Sequence, residues 1–127
     1  MVEKFPNHKF VIDHIAKPGI KDKRIDEWKS NMERIAMFQN VYCKLSGMLT
    51  EADWIGWNSR DFTPYLDVVF DSFGPDRLMY GSDWPVCKLA GSYEDTVNLV
   101  ESYISEYADV EKQAIMGGNA MKFYFNA

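Results

Sequence analysis

The stretch Arg77-Leu-Met-Tyr-Gly-Ser-Asp-Trp-Pro-Val86 decides how this chain is read. Leu78, Met79 and Tyr80 form a short apolar run of the kind that makes a buried strand. Gly81 and Ser82 break the run, Asp83 follows at once, and Pro85 forbids further regular pairing. A carboxylate placed where a buried parallel strand ends is where α/β proteins carry their chemistry. Asp is also a common turn residue, so a purely structural reading stands beside the functional one.

Two more strands flank this one in the sequence. Phe10 to Ile15, Phe-Val-Ile-Asp-His-Ile, reads as the first strand, and Val41 to Leu45, Val-Tyr-Cys-Lys-Leu, as the second, leading into Ser46-Gly47. Between them, Ile25, Trp28, Met32 and Ile35 are spaced three, four and three, which predicts an amphipathic helix over 22–38. Thr50 to Asp61, with Trp54 and Trp57, reads as loop. Thr63 and Pro64 then read as N-cap and first residue of a helix striped by Leu66, Val69, Phe70 and Phe73 and closed by Gly74-Pro75. After the deciding stretch, Ser92 and Asp95 resemble a capping box for a helix carrying Val97, Val100, Ile104 and Tyr107. A short helix from about Val110, a Gly117-Gly118-Asn119 break and a segment Ala120 to Phe125 complete the pattern. Residues 1–9 read as the close of a preceding element, with Val2 and Phe5 ending a helix at Pro6-Asn7. The order strand–helix repeated three times implies parallel strands joined by right-handed crossovers. Three such strands make a poor sheet on their own, so the pattern reads as part of a larger one.

Composition narrows the function. The 127 residues are 46% hydrophobic and 15% aromatic, enough for a packed core. A net charge of -5 and a pI near 5.0 argue against nucleic acid or an anionic membrane as partner. Cys43 and Cys87 lack metal or redox spacing and form no disulfide framework, which points to a reducing cytoplasm. No apolar run reaches the roughly eighteen residues of a membrane span.

Three strand ends present an imidazole, a hydroxyl and a carboxylate: His14, Ser46 and Asp83. Alternation along the first strand puts Phe10, Ile12 and His14 on one face and Val11, Asp13 and Ile15 on the other. If the strands are parallel, the three polar ends share one rim. A His and an Asp there can bind a divalent metal and activate its water, or act as acid and base without one. Each also has an ordinary reading: His14 as a satisfied, partly buried residue, Ser46 as turn chemistry, Lys17 as a solvated loop cation, and Trp54, Trp57 and Trp84 as packing.

The runs Phe10-Val-Ile-Asp-His-Ile-Ala-Lys-Pro18, Val41-Tyr-Cys-Lys-Leu-Ser-Gly47, Arg77-Leu-Met-Tyr-Gly-Ser-Asp-Trp-Pro85 and Gly118-Asn-Ala120 together resemble the amidohydrolase superfamily, in its branch of fuconolactonase-like and pyrone-dicarboxylate-lactonase-like hydrolases. The resemblance implies a partial (β/α)8 TIM barrel, with residues 1–127 forming its C-terminal half: strands 6–8 and the C-terminal helices. It implies a hydrolase of a lactone, a sugar lactone or similar cyclic ester or amide. Asp83 would be catalytic as the base that activates water, and a metal ligand where a metal is present. His14 would be a metal ligand or would polarise the scissile carbonyl. Ser46, Lys17 and Trp84 would lie against the substrate, and the parent enzyme would use a divalent metal, zinc first, or none. The family's His-x-His pair of the first strand is absent from this sequence, and a barrel needs about 250 residues. The expectation is a fragment inactive alone, with no tightly bound metal. Its uncovered strand edges predict a homo-oligomer or a missing N-terminal half. Two other readings stay open: a non-catalytic half-barrel that self-associates as an assembly module, and a Ser46–His14–Asp83 triad, for which no Gly-x-Ser-x-Gly elbow exists.

Overall fold

A computed structural model describes residues 1–125. Three parallel strands, β1 (Phe10–Ile12), β2 (Val41–Leu45) and β3 (Leu78–Tyr80), lie in the order β1-β2-β3. Phe10 pairs with Val41 and Ile12 with Cys43, and Cys43 in turn pairs with Leu78 and Leu45 with Tyr80. Helices α1 (Asp26–Ala36) and α2 (Thr63–Phe73) cross between them as the apolar spacing predicts. Helix α3 (Tyr93–Tyr103) follows β3, opened by the Ser92–Asp95 capping box: Ser92 Oγ accepts from the Asp95 N–H, and Asp95 Oδ2 from the Ser92 N–H at 2.8 Å.

Strand β2 explains the layering. Val41, Cys43 and Leu45 are fully buried and Tyr42 and Lys44 only partly so. The first set packs into one core with Met32, Leu66, Val69, Phe70 and Val100 from the crossing helices. The second set faces the C-terminal helix α5 (Asn119–Phe125): the Tyr42 and Phe123 rings lie 5.0 Å apart, and Lys44 Nζ lies 5.7 Å from the Tyr124 ring. The sheet is therefore covered on both sides, as parallel sheets require, with the outer edges of β1 and β3 unpaired in this chain.

Three expectations shift. The first strand stops at Ile12, and Asp13–Ala16 forms a tight turn. The helix bearing Val97 and Val100 ends at Tyr103, so Tyr107 lies beyond it and packs against Phe70 at 5.6 Å. The expected Gly117-Gly118-Asn119 break is not a break. Residues 114–118 are a π-helical turn that joins α4 (Asp109–Gln113) to α5 without interruption. What holds that junction is Asn119, buried, whose Nδ2 donates to Pro75 O at 2.6 Å and Leu78 O at 2.8 Å. Arg77 does similar work at the other end of β2, its guanidinium donating to the carbonyls of Phe38, Val41, Ser72 and Phe73. No described helix is long and apolar enough to cross a membrane.

Two outcomes follow from this packing. Replacing Asn119 by Ala strands two carbonyls at a buried site and should cost about 1–3 kcal/mol, read as a lower urea midpoint; Asn119→Asp should cost at least as much, since it also cannot donate. Burial pushes the Cys43 and Cys87 thiols and the Tyr65, Tyr80, Tyr103 and Tyr107 phenols above their ordinary values of 9.0 and 10.0. The unfolded chain then releases protons that the folded chain retains, so the stability they add is complete below pH about 9 and is lost as pH rises further. The urea midpoint should therefore fall between pH 8 and pH 10.5 and hold steady between pH 7 and 8.

Candidate active site

His14 owes its position to an unusual backbone. His14 (φ 49, ψ 41), Ile15 (φ 45, ψ 30), Ala16 (φ 60) and Lys17 (φ 48) are consecutive left-handed residues, none of them glycine. Each such residue costs about 1–2 kcal/mol, and a β-branched one is a genuine outlier. The turn is held by Ile15, fully buried, by the Trp28 indole donating to Ile15 O at 2.7 Å, and by the Lys17 N–H on His14 O at 2.9 Å. Asp83, at the end of β3, is also left-handed (φ 56). Two of the three polar strand ends are thus aimed by backbone that the local sequence does not favour.

The three ends converge. His14 Nδ1 lies 2.8 Å from Ser46 Oγ, and His14 Nε2 lies 3.6 Å from Asp83 Oδ1. Ser46 is buried, and a Cβ on Gly81 would lie 3.1 Å from Ser46 Cβ. The Ser46 hydroxyl is thus an anchor for the ring rather than an exposed group. Gly47 completes the fit: at φ +64, a Cβ there would sit 2.7 Å from His14 Cγ and 2.8 Å from Nδ1. Only glycine lets the backbone after β2 pass so close to the imidazole.

Asp13 joins the same side. Strand alternation would put it opposite His14, but the strand ends one residue earlier, and the turn brings Asp13 Oδ2 to 3.6 Å from His14 Nε2. Its other oxygen, Oδ1, lies 3.4 Å from Lys44 Nζ. Asp13, His14, Lys44, Ser46, Asp83 and Tyr124 line one open cleft of about 290 Å³ at the C-terminal rim of the sheet. The sequence reading did not single out Asp13, Lys44 or Tyr124 as site residues. The available signal was Lys44 itself, a lone cation in an otherwise apolar buried strand.

The other expected residues lie further out. Lys17 Nζ pairs with Glu51 Oε1 at 3.7 Å and lines a different cleft. Trp84, next to Asp83, is 61% exposed. Trp57 is a packing residue, its indole donating to Ala90 O at 2.6 Å and its ring against Phe62. Burial, and then the Asp83 carboxylate, raise the Cys87 thiol, which makes it a poor nucleophile.

The family model for amidohydrolases matches residues 1–125. This chain belongs to the amidohydrolase family. The L-fucono-1,5-lactonase of Burkholderia multivorans is 40% identical over 127 residues, covering 92% of this chain and 43% of that enzyme. The L-rhamnono-gamma-lactonase of Scheffersomyces stipitis is 33% identical over 101 residues, covering 68% of this chain and 30% of the enzyme. A crystal structure of an amidohydrolase from Burkholderia multivorans with bound zinc superimposes with a TM-score of 0.86 at 39% identity, covering 97% of this chain and 47% of that one. The chain therefore spans less than half the length of these relatives, and its three strand–helix units have the fold of a solved amidohydrolase.

A metal finds only part of a site here. His14 Nε2 and Asp83 Oδ1, 3.6 Å apart, are near enough to share one ion. Among the described residues, however, no group of three or more His, Cys, Asp or Glu is arranged to hold one, and a catalytic zinc takes three protein ligands. Asp13 is engaged by Lys44. The donor set of this chain by itself does not make up a resident metal site.

Gly47→Ala tests the fit around His14. The new methyl should drive the ring off Ser46, changing the imidazole ¹⁵N shifts of His14 while leaving those of His8, the other histidine. Unchanged His14 shifts would mean that the glycine does not position the ring.

Proposed function

We propose that this chain is the C-terminal part of a lactone-hydrolysing (β/α)8 barrel, contributing strands 6–8, and that it works together with the strand–helix units that precede these in the relatives. The observation that carries the proposal is the meeting of His14, Ser46 and Asp83 on one rim of a parallel sheet in a chain of this family. Two lactonases among the relatives make a sugar lactone, such as L-fucono-1,5-lactone or L-rhamnono-gamma-lactone, the substrate class to test first.

In this reading Asp83 accepts a proton from water as the water oxygen bonds to the lactone carbonyl carbon. The Ser46 hydroxyl donates to His14 Nδ1, which leaves Nε2 carrying the ring proton. That N–H faces the rim and donates to the carbonyl oxygen as it becomes an oxyanion. Collapse of the tetrahedral intermediate breaks the ring C–O bond, and the departing ring oxygen takes the proton held by Asp83. Water and lactone have then become one hydroxy acid. Trp84 offers an aromatic face beside Asp83, and Lys17 serves only as an outer cation paired with Glu51. The buried Ser46 sits on Nδ1 and Asp83 faces Nε2, the reverse of the nitrogen assignment in a serine hydrolase, so Ser46 is read as a positioning residue.

Complementation provides the test. The chain alone should show no lactone hydrolysis above background and should retain no stoichiometric zinc after purification. Mixed with a separately produced segment that supplies the preceding strand–helix units, it should gain hydrolysis. Asp83→Asn should then lower kcat by about 10²–10⁴ and His14→Ala by a similar factor. Full hydrolysis by the Asp83→Asn assembly would overturn the assignment.

A further inference from the structure

The lactones hydrolysed within this family differ in charge, and the rim cleft contains a feature that bears on that difference. Lys44 is the one lysine or arginine among the residues lining it. Its ammonium is already engaged, with Asp13 Oδ1 at 3.4 Å and the Tyr124 ring at 5.7 Å. A hydrogen bond to the Tyr124 side chain and, more weakly, the Asp13 carboxylate hold Lys44 above its ordinary value despite partial burial, so it stays cationic. The second carboxylate of the cleft, Asp83, has no such partner; its charged neighbour is the His14 imidazole at 3.6 Å. Lys17, the nearest other basic residue in sequence, is spent on Glu51 and lines a different cleft. The wall this chain presents therefore carries two carboxylates and one compensated cation.

Resting on the reading of this site as a lactone wall, we infer that the Asp13–Lys44 pair sets its charge selectivity. Asp13 consumes the one ammonium that would otherwise recognise a substrate carboxylate. The cleft then takes neutral, polyhydroxylated lactones and rejects lactones that bear carboxylates. Physical chemistry supports both halves. An ammonium–carboxylate pair retains spare lone pairs and N–H groups for the hydroxyls of a polyol. An anionic substrate would meet Asp83 and Asp13 with no free countercharge, and like charges at these separations repel. Asp13 and Lys44 contact neither reacting atom in the proposed chemistry; they act as specificity residues.

The test uses the chain itself. Binding is followed by ¹H–¹⁵N NMR with two non-reacting probes: a neutral sugar lactam, which keeps ring and hydroxyls but resists hydrolysis, and a pyrone dicarboxylate. The wild-type chain should shift the Lys44 and Tyr124 signals with the lactam and bind the dicarboxylate at least tenfold more weakly. Asp13→Asn should free the ammonium and tighten dicarboxylate binding about tenfold, and adding Lys44→Met to it should abolish that gain. Equal or tighter binding of the dicarboxylate by the wild type, no binding of either probe, or an unchanged ratio in Asp13→Asn would each overturn the inference. Asp83→Asn separates the two claims. If complementation fails to give hydrolysis but the charge preference persists in Asp83→Asn, the cleft reads charge and the lactonase reading fails. If hydrolysis is restored but the preference is missing, only the selectivity claim falls.

Discussion

Four left-handed residues after β1, His14 to Lys17, are the constraint on which the rim of this molecule depends. L-amino acids avoid that conformation because Cβ crowds the following carbonyl oxygen. The turn persists because its surroundings leave no alternative. Ile15 is sealed in the core, its carbonyl is held by the Trp28 indole, and the chain after β2 passes so close that only Gly47 fits beside the imidazole. Strain of this kind collects where a side chain must be aimed rather than merely packed. Here the aim is His14 Nδ1 onto Ser46, which leaves Nε2 facing Asp83 and the open cleft.

The sheet beneath is built to keep that aim steady. β2 is buried on one face by the crossing helices and covered on the other by the C-terminal helix, so the strand end bearing Ser46 is fixed from both sides. β3 is pinned at its start by Asn119, whose amide bridges two carbonyls across the junction with the terminal helix. Arg77 ties the carbonyls of Phe38 and Val41 to the last turn of α2. These polar ties are satisfied: among the described residues no buried side-chain nitrogen or oxygen lacks a partner.

The same geometry separates what this chain supplies from what it leaves to the rest of a barrel. It brings an imidazole, a hydroxyl and a carboxylate to one rim, while metal-binding capacity stops at two ligands. The unpaired edges of β1 and β3 and the match to less than half of a longer amidohydrolase describe one half of a division of labour. The charge pattern of the cleft is a property of this half alone, because both members of the Asp13–Lys44 pair come from it.

Much of this was legible in the residues. The runs Val41–Leu45 and Leu78–Tyr80 are strands at the limits their apolar content sets, and Thr63-Pro64 and Ser92–Asp95 mark helix starts by capping chemistry that is local and therefore readable. The grouping of His14, Ser46 and Asp83 followed from parallel strand order, and the family from four ordered motifs. What the residues could not disclose were the features set by contacts between segments far apart in the chain. Phe10–Ile15 has the composition of a strand throughout, yet it turns after Ile12 because tertiary packing overrides propensity there, and so Asp13 faces the same cleft as His14. Gly117-Gly118 reads as a helix break, yet the anchoring of Asn119 to β3 carries the helix through it. Sequence alone determined which groups reach the rim. Only the tertiary structure decided how they face one another, because their orientation rests on a backbone conformation that no local preference would choose.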